Sequence, residues 1–357
     1  RPGTSDSSPG SAARFARRWR TSPTGPAAVP CPPTASTRGL LVLRPGVGEE
    51  GAVWGGDAAG VWVQHNSLLP DEVEGARVRV AVASGKGGTG KTTVATNLAW
   101  VAAQDEKSVA YLDCDVEEPN GQIFLKPVVD WRRPVTVAVP AVDPMVCDLC
   151  GLCGQICRFS AIVCVGKNVL VFPELCHSCG GCELVCPVAA VTEVPRSIAT
   201  VMAGHTGSIR YLQGLLDVGE ALSPPVIRAV KAEAPEADLV IVDAPPGSAC
   251  PVVEAIRGCD LVLLVTEPTP FGLHDLEIAL ETVRSVDIPC KVVVNRSGLN
   301  GSAAVDFCRR QAVEIVAEIP DSRRVAESYS RGELSSKTDV GTRNRFRTLL
   351  TDIENSA

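Results

Sequence analysis

Ser84-Gly85-Lys86-Gly87-Gly88-Thr89-Gly90-Lys91-Thr92-Thr93 decides how the rest of the chain is read. It satisfies the pattern G-x-x-x-x-G-K-[ST], with Gly85 as the first glycine and Gly90-Lys91-Thr92 closing it. Glycines let the backbone turn tightly, so successive N–H groups can point at phosphate oxygens. Lys91 then reaches the β- and γ-phosphates, and the Thr92 hydroxyl binds Mg²⁺. The run Val78 to Ala83 before the loop reads as a buried strand, and Val94 to Ala103 after it reads as a helix whose N-terminus favours anions. The plain alternative, a glycine-rich turn with a chance lysine, leaves the strand and the helix unexplained.

The bulk composition suits that reading. The chain has 357 residues, enough for about two domains. Hydrophobic content is 45% with only 4% aromatic, so the core must be rich in Val, Ile, Leu and Ala, as in parallel α/β sheets. A formal net charge of −7 argues against a dedicated nucleic-acid binder. No apolar run approaches the roughly 20 residues that a membrane helix needs. Cysteine is the outlier, at 15 residues. Beside a nucleotide loop, which points to the cytoplasm, clustered cysteines are expected as metal ligands rather than disulfides.

Eight of those cysteines form two runs. Cys147-x-x-Cys150-x-x-Cys153-x-x-x-Cys157 is followed by Cys176-x-x-Cys179-x-x-Cys182-x-x-x-Cys186-Pro187. This duplicated C-x₂-C-x₂-C-x₃-C spacing is that of bacterial ferredoxins. Three close cysteines wrap one face of a cubane, so the fourth ligand comes from the other run. One [4Fe–4S] cluster is expected on Cys147, Cys150, Cys153 and Cys186, and a second on Cys176, Cys179, Cys182 and Cys157. Two zinc sites are the rival, but zinc modules space pairs of C-x₂-C rather than four ligands in one run. Arg158 stands where proline would follow the first run. Cys164, outside both spacings, is expected as a small core residue, and His177 as exposed.

Residues 1–75 are Pro-, Ser- and Gly-rich, with Arg14, Arg17, Arg18 and Arg20 crowded together and no clean apolar period. They read as a disordered or non-native N-terminal extension. From Ala76 onward, strands are expected at 108–112, 239–243, 261–266, 291–296 and 315–320 besides the first. Helices are expected at 223–231, 271–283 and 346–353. Residues 210–220 read as a connection. Asp113-Cys114-Asp115 ends the second strand, at the rim where parallel sheets bind ligands. A helix cap with a solvated acidic loop is the alternative there. Leu239-Val240-Ile241-Val242-Asp243 reads as a Walker B strand, with Asp243 holding Mg²⁺ through water.

K-G-G-T-G-K-T-T, D-C-D-V-E-E-P-N, the two cysteine runs, V-D-A-P-P-G and V-N-R together resemble MinD-superfamily P-loop ATPases that carry an inserted double-cubane ferredoxin domain. These are relatives of the Mrp/Nbp-type iron–sulfur carrier ATPases. The resemblance covers about residues 76–340. It implies a mostly parallel sheet flanked by helices, split as 76–141 and 192–357 around a ferredoxin-like α+β insert at 142–191. It implies that Gly85, Lys86, Gly87, Gly88, Thr89, Gly90, Lys91, Thr92 and Thr93 cradle ATP. Lys86, the extra lysine of the deviant loop, would reach the partner's nucleotide across a homodimer. It also implies that Asp115 orients the attacking water, that Asp113 supports the Mg²⁺ shell with Thr92 and Asp243, and that Asn295 contacts adenine; a turn-forming asparagine is the alternative. The expected function is ATP hydrolysis coupled to two clusters, either for electron transfer to a redox partner or for delivery to an apo iron–sulfur or metallocofactor protein. A ParA/MinD-like spatial switch with the clusters as a redox sensor is the alternative.

Overall fold

Apolar runs without alternation are strands covered on both faces. All six expected runs form strands in the computed structural model, which describes residues 62–64, 78–298 and 301–356, and only the edge strand at 315–320 is mostly half-buried. Apart from residues 62–64, the segment 1–75 expected as an extension lies outside the described residues. In chain order the strands are β1 (Trp62–Gln64), β2 (Val78–Ser84), β3 (Val109–Asp113), β4 (Val128–Val142), β5 (Ile162–Val165), β6 (Asn168–Val171), β7 (Val191–Thr206), β8 (Ile209–Leu216), β9 (Leu239–Pro246), β10 (Leu261–Thr266), β11 (Cys290–Ser297) and β12 (Ile315–Pro320). Among the described residues, strands β5 and β6 pair only with each other, and the other ten form one sheet, ordered β1-β4-β7-β8-β3-β9-β2-β10-β11-β12. The sheet is parallel except at β4/β7 and β7/β8.

Period-two geometry sends alternate side chains of each strand to opposite faces. On β2, Val80 and Val82 join one core, with Leu98, Tyr111, Ile241 and Leu263. Ala81 and Ala83 join the other, with Leu112, Val242, Leu264 and Leu280. Helix α1 (Lys91–Gln104) covers the first face, burying Val94, Ala95, Leu98, Ala99, Val101 and Ala102. The short α2 (Gly121–Leu125) follows β3. Two more short helices, α3 (Leu152–Ile156) and α4 (Gly181–Leu184), lie between β4 and β7. Helices α5 (Ser223–Ala232), α6 (Cys250–Ile256), α7 (Pro270–Arg284) and α8 (Gly301–Arg310) follow β8, β9, β10 and β11 in turn, the strand–helix alternation of an α/β fold. The chain ends in α9 (Arg323–Ser330), α10 (Ser335–Thr338) and α11 (Val340–Glu354), the last burying Phe346, Leu349, Leu350 and Ile353.

Residues 210–220 are not a mere connection. Most of them form β8, inserted between β7 and β3, with Tyr211, Leu212 and Gln213 buried. Arg210, Gln213 and Gly214 interrupt the apolar pattern, so the strand had no clean period to show. The long antiparallel arms β4 and β7 run out of the sheet until Val142 pairs with Val191. Residues 143–190 hang between those two positions around their own small core of Cys153, Ile162, Cys182 and Val191.

Leu98 is fully buried where α1 meets the sheet behind the glycine-rich loop. Leu98→Ala is expected to lower the unfolding free energy by about 2–5 kcal/mol, measured by urea denaturation; a loss under about 1 kcal/mol would show that this face repacks.

Candidate functional site

The glycine-rich loop spans residues 85–90, between the end of β2 and the start of α1. Gly90 has φ +96°, a left-handed backbone that favours glycine. A Cβ there would stand 2.3 Å from the Asn295 amide nitrogen. That amide donates to the Thr89 carbonyl at 2.7 Å, so Asn295 at the end of β11 braces the loop from below. Asn295, expected to contact adenine, turns its NH₂ to the loop backbone. Gly85 is pressed on the Asp275 carbonyl, which would lie 2.0 Å from a Cβ. Gly87 and Gly88 form the exposed crest, while Thr89 and Lys91 are buried and Thr92 and Thr93 half-buried. Lys86 lies 3.9 Å from an Asp275 carboxylate oxygen on α7.

Asp113 ends β3 and pairs in register with Asp243, inside the neighbouring strand β9, and both are fully buried. Asp113 Oδ2 accepts from the Gly121 N–H at 2.8 Å, and Asp243 Oδ2 accepts from the Tyr111 hydroxyl at 2.7 Å. Among the described residues, Oδ1 of each has no hydrogen-bond partner, and neither does the Thr89 hydroxyl. Burial, and then the Asp243 charge, pushes Asp113 well above the usual carboxylate range. Burial also lifts Asp243, against the pull of Tyr111, Thr92 and Lys91. Asp115, half-buried just beyond β3, is raised by burial to about 6 although Lys91 pulls it down. Its loop is tied down on both sides: Cys114 N–H donates to the Asp243 carbonyl, and Leu216 N–H to the Val116 carbonyl, each at 2.9 Å.

The cysteine runs repeat in backbone conformation as well as in sequence. Positive φ recurs at the second, fourth and thirteenth residues after the first cysteine: Leu149, Gly151 and Ser160 in one run, Ser178, Gly180 and Ala189 in the other. Phe172 N–H donates to the Ala161 carbonyl, and Asp143 N–H to the equivalent Ala190 carbonyl. Exposure repeats too. Cys153 and Cys182 are buried, Cys150 and Cys179 exposed, and Cys147, Cys157, Cys176 and Cys186 half-buried. Cys157, Cys176, Cys179 and Cys182 line one cavity of about 40 Å³, the four residues expected to share a cluster. Backbone N–H groups point at sulfur, from Ala190 to Cys186 at 3.2 Å and from Ser178 to Cys176 at 3.4 Å. Burial disfavours the Cys157 thiolate, but the backbone amides of Phe159, Ile162, Ala161 and Ser160 outweigh it and hold the group below the usual thiol range. Cys164, expected in a core, is exposed, with its Sγ 3.9 Å from that of Cys153. His177 is exposed and stacks on Phe159. Among the described residues no three His, Cys, Asp or Glu side chains converge on a single-ion site.

Sequence reading missed the phenols behind the carboxylates. Tyr111 and Tyr211 are fully buried and stacked, with ring centroids 5.5 Å apart. The chain has only three tyrosines, and Tyr111 precedes Asp113 by two residues, the strand period that puts both on one face. That was the available signal.

Residues 80–335 match the family model described as "CobQ/CobB/MinD/ParA nucleotide binding domain". The uncharacterized protein MJ0578 of Methanocaldococcus jannaschii is 34% identical over 227 residues, which cover 62% of this chain and 79% of that protein. An iron–sulfur cluster carrier protein of Methanococcus maripaludis is 23% identical over 238 residues, covering 66% of this chain and 65% of that protein. Among solved structures, the septum site-determining protein MinD of Pyrococcus horikoshii, complexed with Mg-ADP, is similar over 77% of this chain and 95% of that one, with 20% identity and a TM-score of 0.48. Among the described residues no helix is long and apolar enough to cross a membrane.

Burial lifts the folded-state pKa of Asp115 from 3.8 to about 6, so the folded chain prefers the neutral acid. The cost of ionising it is absent below about pH 4 and fully present above about pH 6. Asp115→Asn is therefore expected to gain stability relative to the unsubstituted protein as pH rises through that window. Thermal melts at matched pH check this, and a difference that stays flat or falls overturns it.

Proposed function

The chain belongs to the CobQ/CobB/MinD/ParA nucleotide-binding family, and on that premise we propose that it is a Mg-ATP-hydrolysing homodimer that couples its nucleotide cycle to two [4Fe–4S] clusters. The observation that carries the cluster half is the doubled turn geometry, in which backbone conformation and cysteine exposure repeat between the two runs of an insert joined to the sheet through β4 and β7. The nucleotide half rests on the loop, whose buried Lys91 and left-handed Gly90 head α1, with three orphaned oxygens nearby.

Those orphaned oxygens fit a hydrated divalent cation: oxygen donors in a dry, acidic pocket suit Mg²⁺, which keeps several of its waters. Thr92 and Asp243 would hold it, with Asp113 behind. When bound, Mg²⁺ offsets phosphate charge. The loop N–H groups and Lys91 bind the β- and γ-phosphates, and Lys86 of the partner subunit adds charge at the same oxygens. Asp115, with its pKa near 6, is ionised at neutral pH and accepts a hydrogen bond from the water that attacks in line. Asn295 keeps the loop in place by holding the Thr89 carbonyl.

The cysteine sets fit cubanes by donor type and number. Cys147, Cys150, Cys153 and Cys186 would hold one cluster, and Cys157, Cys176, Cys179 and Cys182 the other. When bound, each supplies a one-electron redox couple. Four thiolates per cluster favour a resident redox role, since a cargo cluster needs an open ligand position. ATP-gated electron delivery to a redox partner is accordingly the preferred reading. Delivery of clusters to an apo-protein is the second, favoured by the likeness to the iron–sulfur cluster carrier protein.

Anaerobically purified protein is expected to be brown, with about eight irons and eight sulfides per chain. Cys150→Ser is expected to lose about half of them. Lys91→Ala is expected to abolish ATP turnover while keeping its iron. Redox titration with ATP against ADP is expected to show a shift in midpoint potential. Colourless protein, or turnover that survives Lys91→Ala, overturns the proposal; clusters that pass to apo-ferredoxin without any potential shift favour delivery.

A further inference from the structure

Behind the paired carboxylates lies a feature that the proposed chemistry does not use. Tyr111 is fully buried among the apolar residues of one sheet face, where Phe or Leu would pack without a polar atom to satisfy. Burying an unpaired hydroxyl costs free energy, so a phenol here needs a bonding role. Its hydroxyl donates to Asp243 Oδ2 at 2.7 Å. Space for it exists only because residue 121 is glycine: a Cβ there would stand 2.6 Å from the Tyr111 ring and 2.7 Å from its oxygen.

A second phenol backs the neighbouring acid. Tyr211 stacks on Tyr111 and has two acceptors within reach, Gln213 Oε1 at 2.7 Å and Asp113 Oδ2 at 3.3 Å. One hydroxyl hydrogen cannot serve both. Turning the Gln213 amide by half a rotation makes its NH₂ the donor to Tyr211 and directs the phenolic hydrogen to Asp113. Each carboxylate then has its rear oxygen, Oδ2, held, and its Oδ1 bare. On the Asp243 side, Thr92 by a side-chain hydrogen bond and Lys91 by its charge also act on the carboxylate, both from the first turn of α1.

We infer that Tyr111, assisted by Tyr211, is a positioning residue for the divalent cation: its hydroxyl locks the Asp243 carboxylate so that Oδ1 faces the cation's water shell. The inference rests on the Mg-nucleotide reading above. A carboxylate held at one oxygen is restrained in rotation, so part of the ordering entropy of cation binding is met in the folded protein beforehand. A charge-assisted hydrogen bond is also the stronger kind.

The test is a titration of fluorescent ADP binding against Mg²⁺ concentration, run on the intact chain with and without EDTA. Tyr111→Phe keeps the ring stack and removes only the hydroxyl. It is expected to raise the Mg²⁺ concentration for half-maximal tight binding on the order of tenfold, while binding in EDTA stays within about twofold. Tyr211→Phe is expected to shift the same midpoint less, by about two- to threefold. In an Asp243→Asn background, Tyr111→Phe is expected to add nothing, because the bond it would break no longer serves a carboxylate. A midpoint unmoved in Tyr111→Phe, or affinity lost equally with and without Mg²⁺, overturns the inference and leaves a packing role. If Tyr111→Phe does not fold, Tyr211→Phe decides by the same two criteria. Wild-type protein that binds no adenine nucleotide at any Mg²⁺ concentration removes the nucleotide reading itself, an outcome distinct from a wild type that binds with no shift in the variants.

Discussion

Two carboxylates held side by side on central strands of the sheet, out of reach of solvent, constrain everything around them. An ionised acid buried without a full set of partners costs several kcal/mol, and a second acid beside it adds repulsion. Asp113 and Asp243 nevertheless sit in register on adjacent strands with no exposure. The fold surrounds them with donors, namely the Gly121 N–H, the Tyr111 hydroxyl and the Tyr211 hydroxyl, and brings Lys91 within electrostatic reach of Asp243. Those donors occupy the rear oxygens and leave the front ones bare. Such a pair is unsatisfied until a proton or a cation enters, the kind of perturbed acid that marks a candidate functional site.

The insert meets the same problem with sulfur in place of oxygen. Its buried core is Cys153, Ile162, Cys182 and Val191, joined by Ala161 and Ala190. Met145, Val165, Leu175 and Leu184 are exposed on it. A module this small with so little buried apolar surface needs a staple of another kind. Part of the restraint comes from β4 and β7, which pair until Val142 and Val191. On the proposed reading the clusters supply the rest, so the cysteines are at once the core and the cofactor ligands.

What the sequence made legible divides along physical lines. Buried parallel strands announce themselves as unbroken apolar runs, which is why β2, β3, β9, β10, β11 and β12 stood at their expected places. Ligand spacing is equally local, so the loop and the cysteine runs could be read residue by residue. Contacts distant in sequence were not readable. Asn295 reaches Thr89 across 206 positions and Tyr111 reaches Asp243 across 132, and no local period reports either pairing. Strand β8 was hidden because Arg210, Gln213 and Gly214 break its pattern. Only its neighbours β7 and β3 make it a strand. Cys164 was assigned to a core by residue type, yet β5 belongs to a two-stranded ribbon with little cover, and it stands exposed there.

Strand β8 also bears on how two distant sites could act on one another. Its Tyr211 lies beside Asp113, and its last residue, Leu216, donates to the Val116 carbonyl in the Asp115 loop. The turn after it is fixed twice more: Ser223 donates to the Glu117 carboxylate at 2.9 Å, and Glu220 takes both nitrogens of Arg196 on β7 at 2.7 and 2.9 Å. A few residues back along β7 from Arg196 is Val191, at the mouth of the insert. The loop that holds Asp115 and the arm that carries the cysteines therefore share one anchor, the segment 216–223. Coupling needs an element that both sites load, not a long relay of side chains. If hydrolysis moves the Asp115 loop, as the proposed cycle requires, that anchor must either yield or drag β7 with it. Its bidentate, half-buried ion pair favours the second.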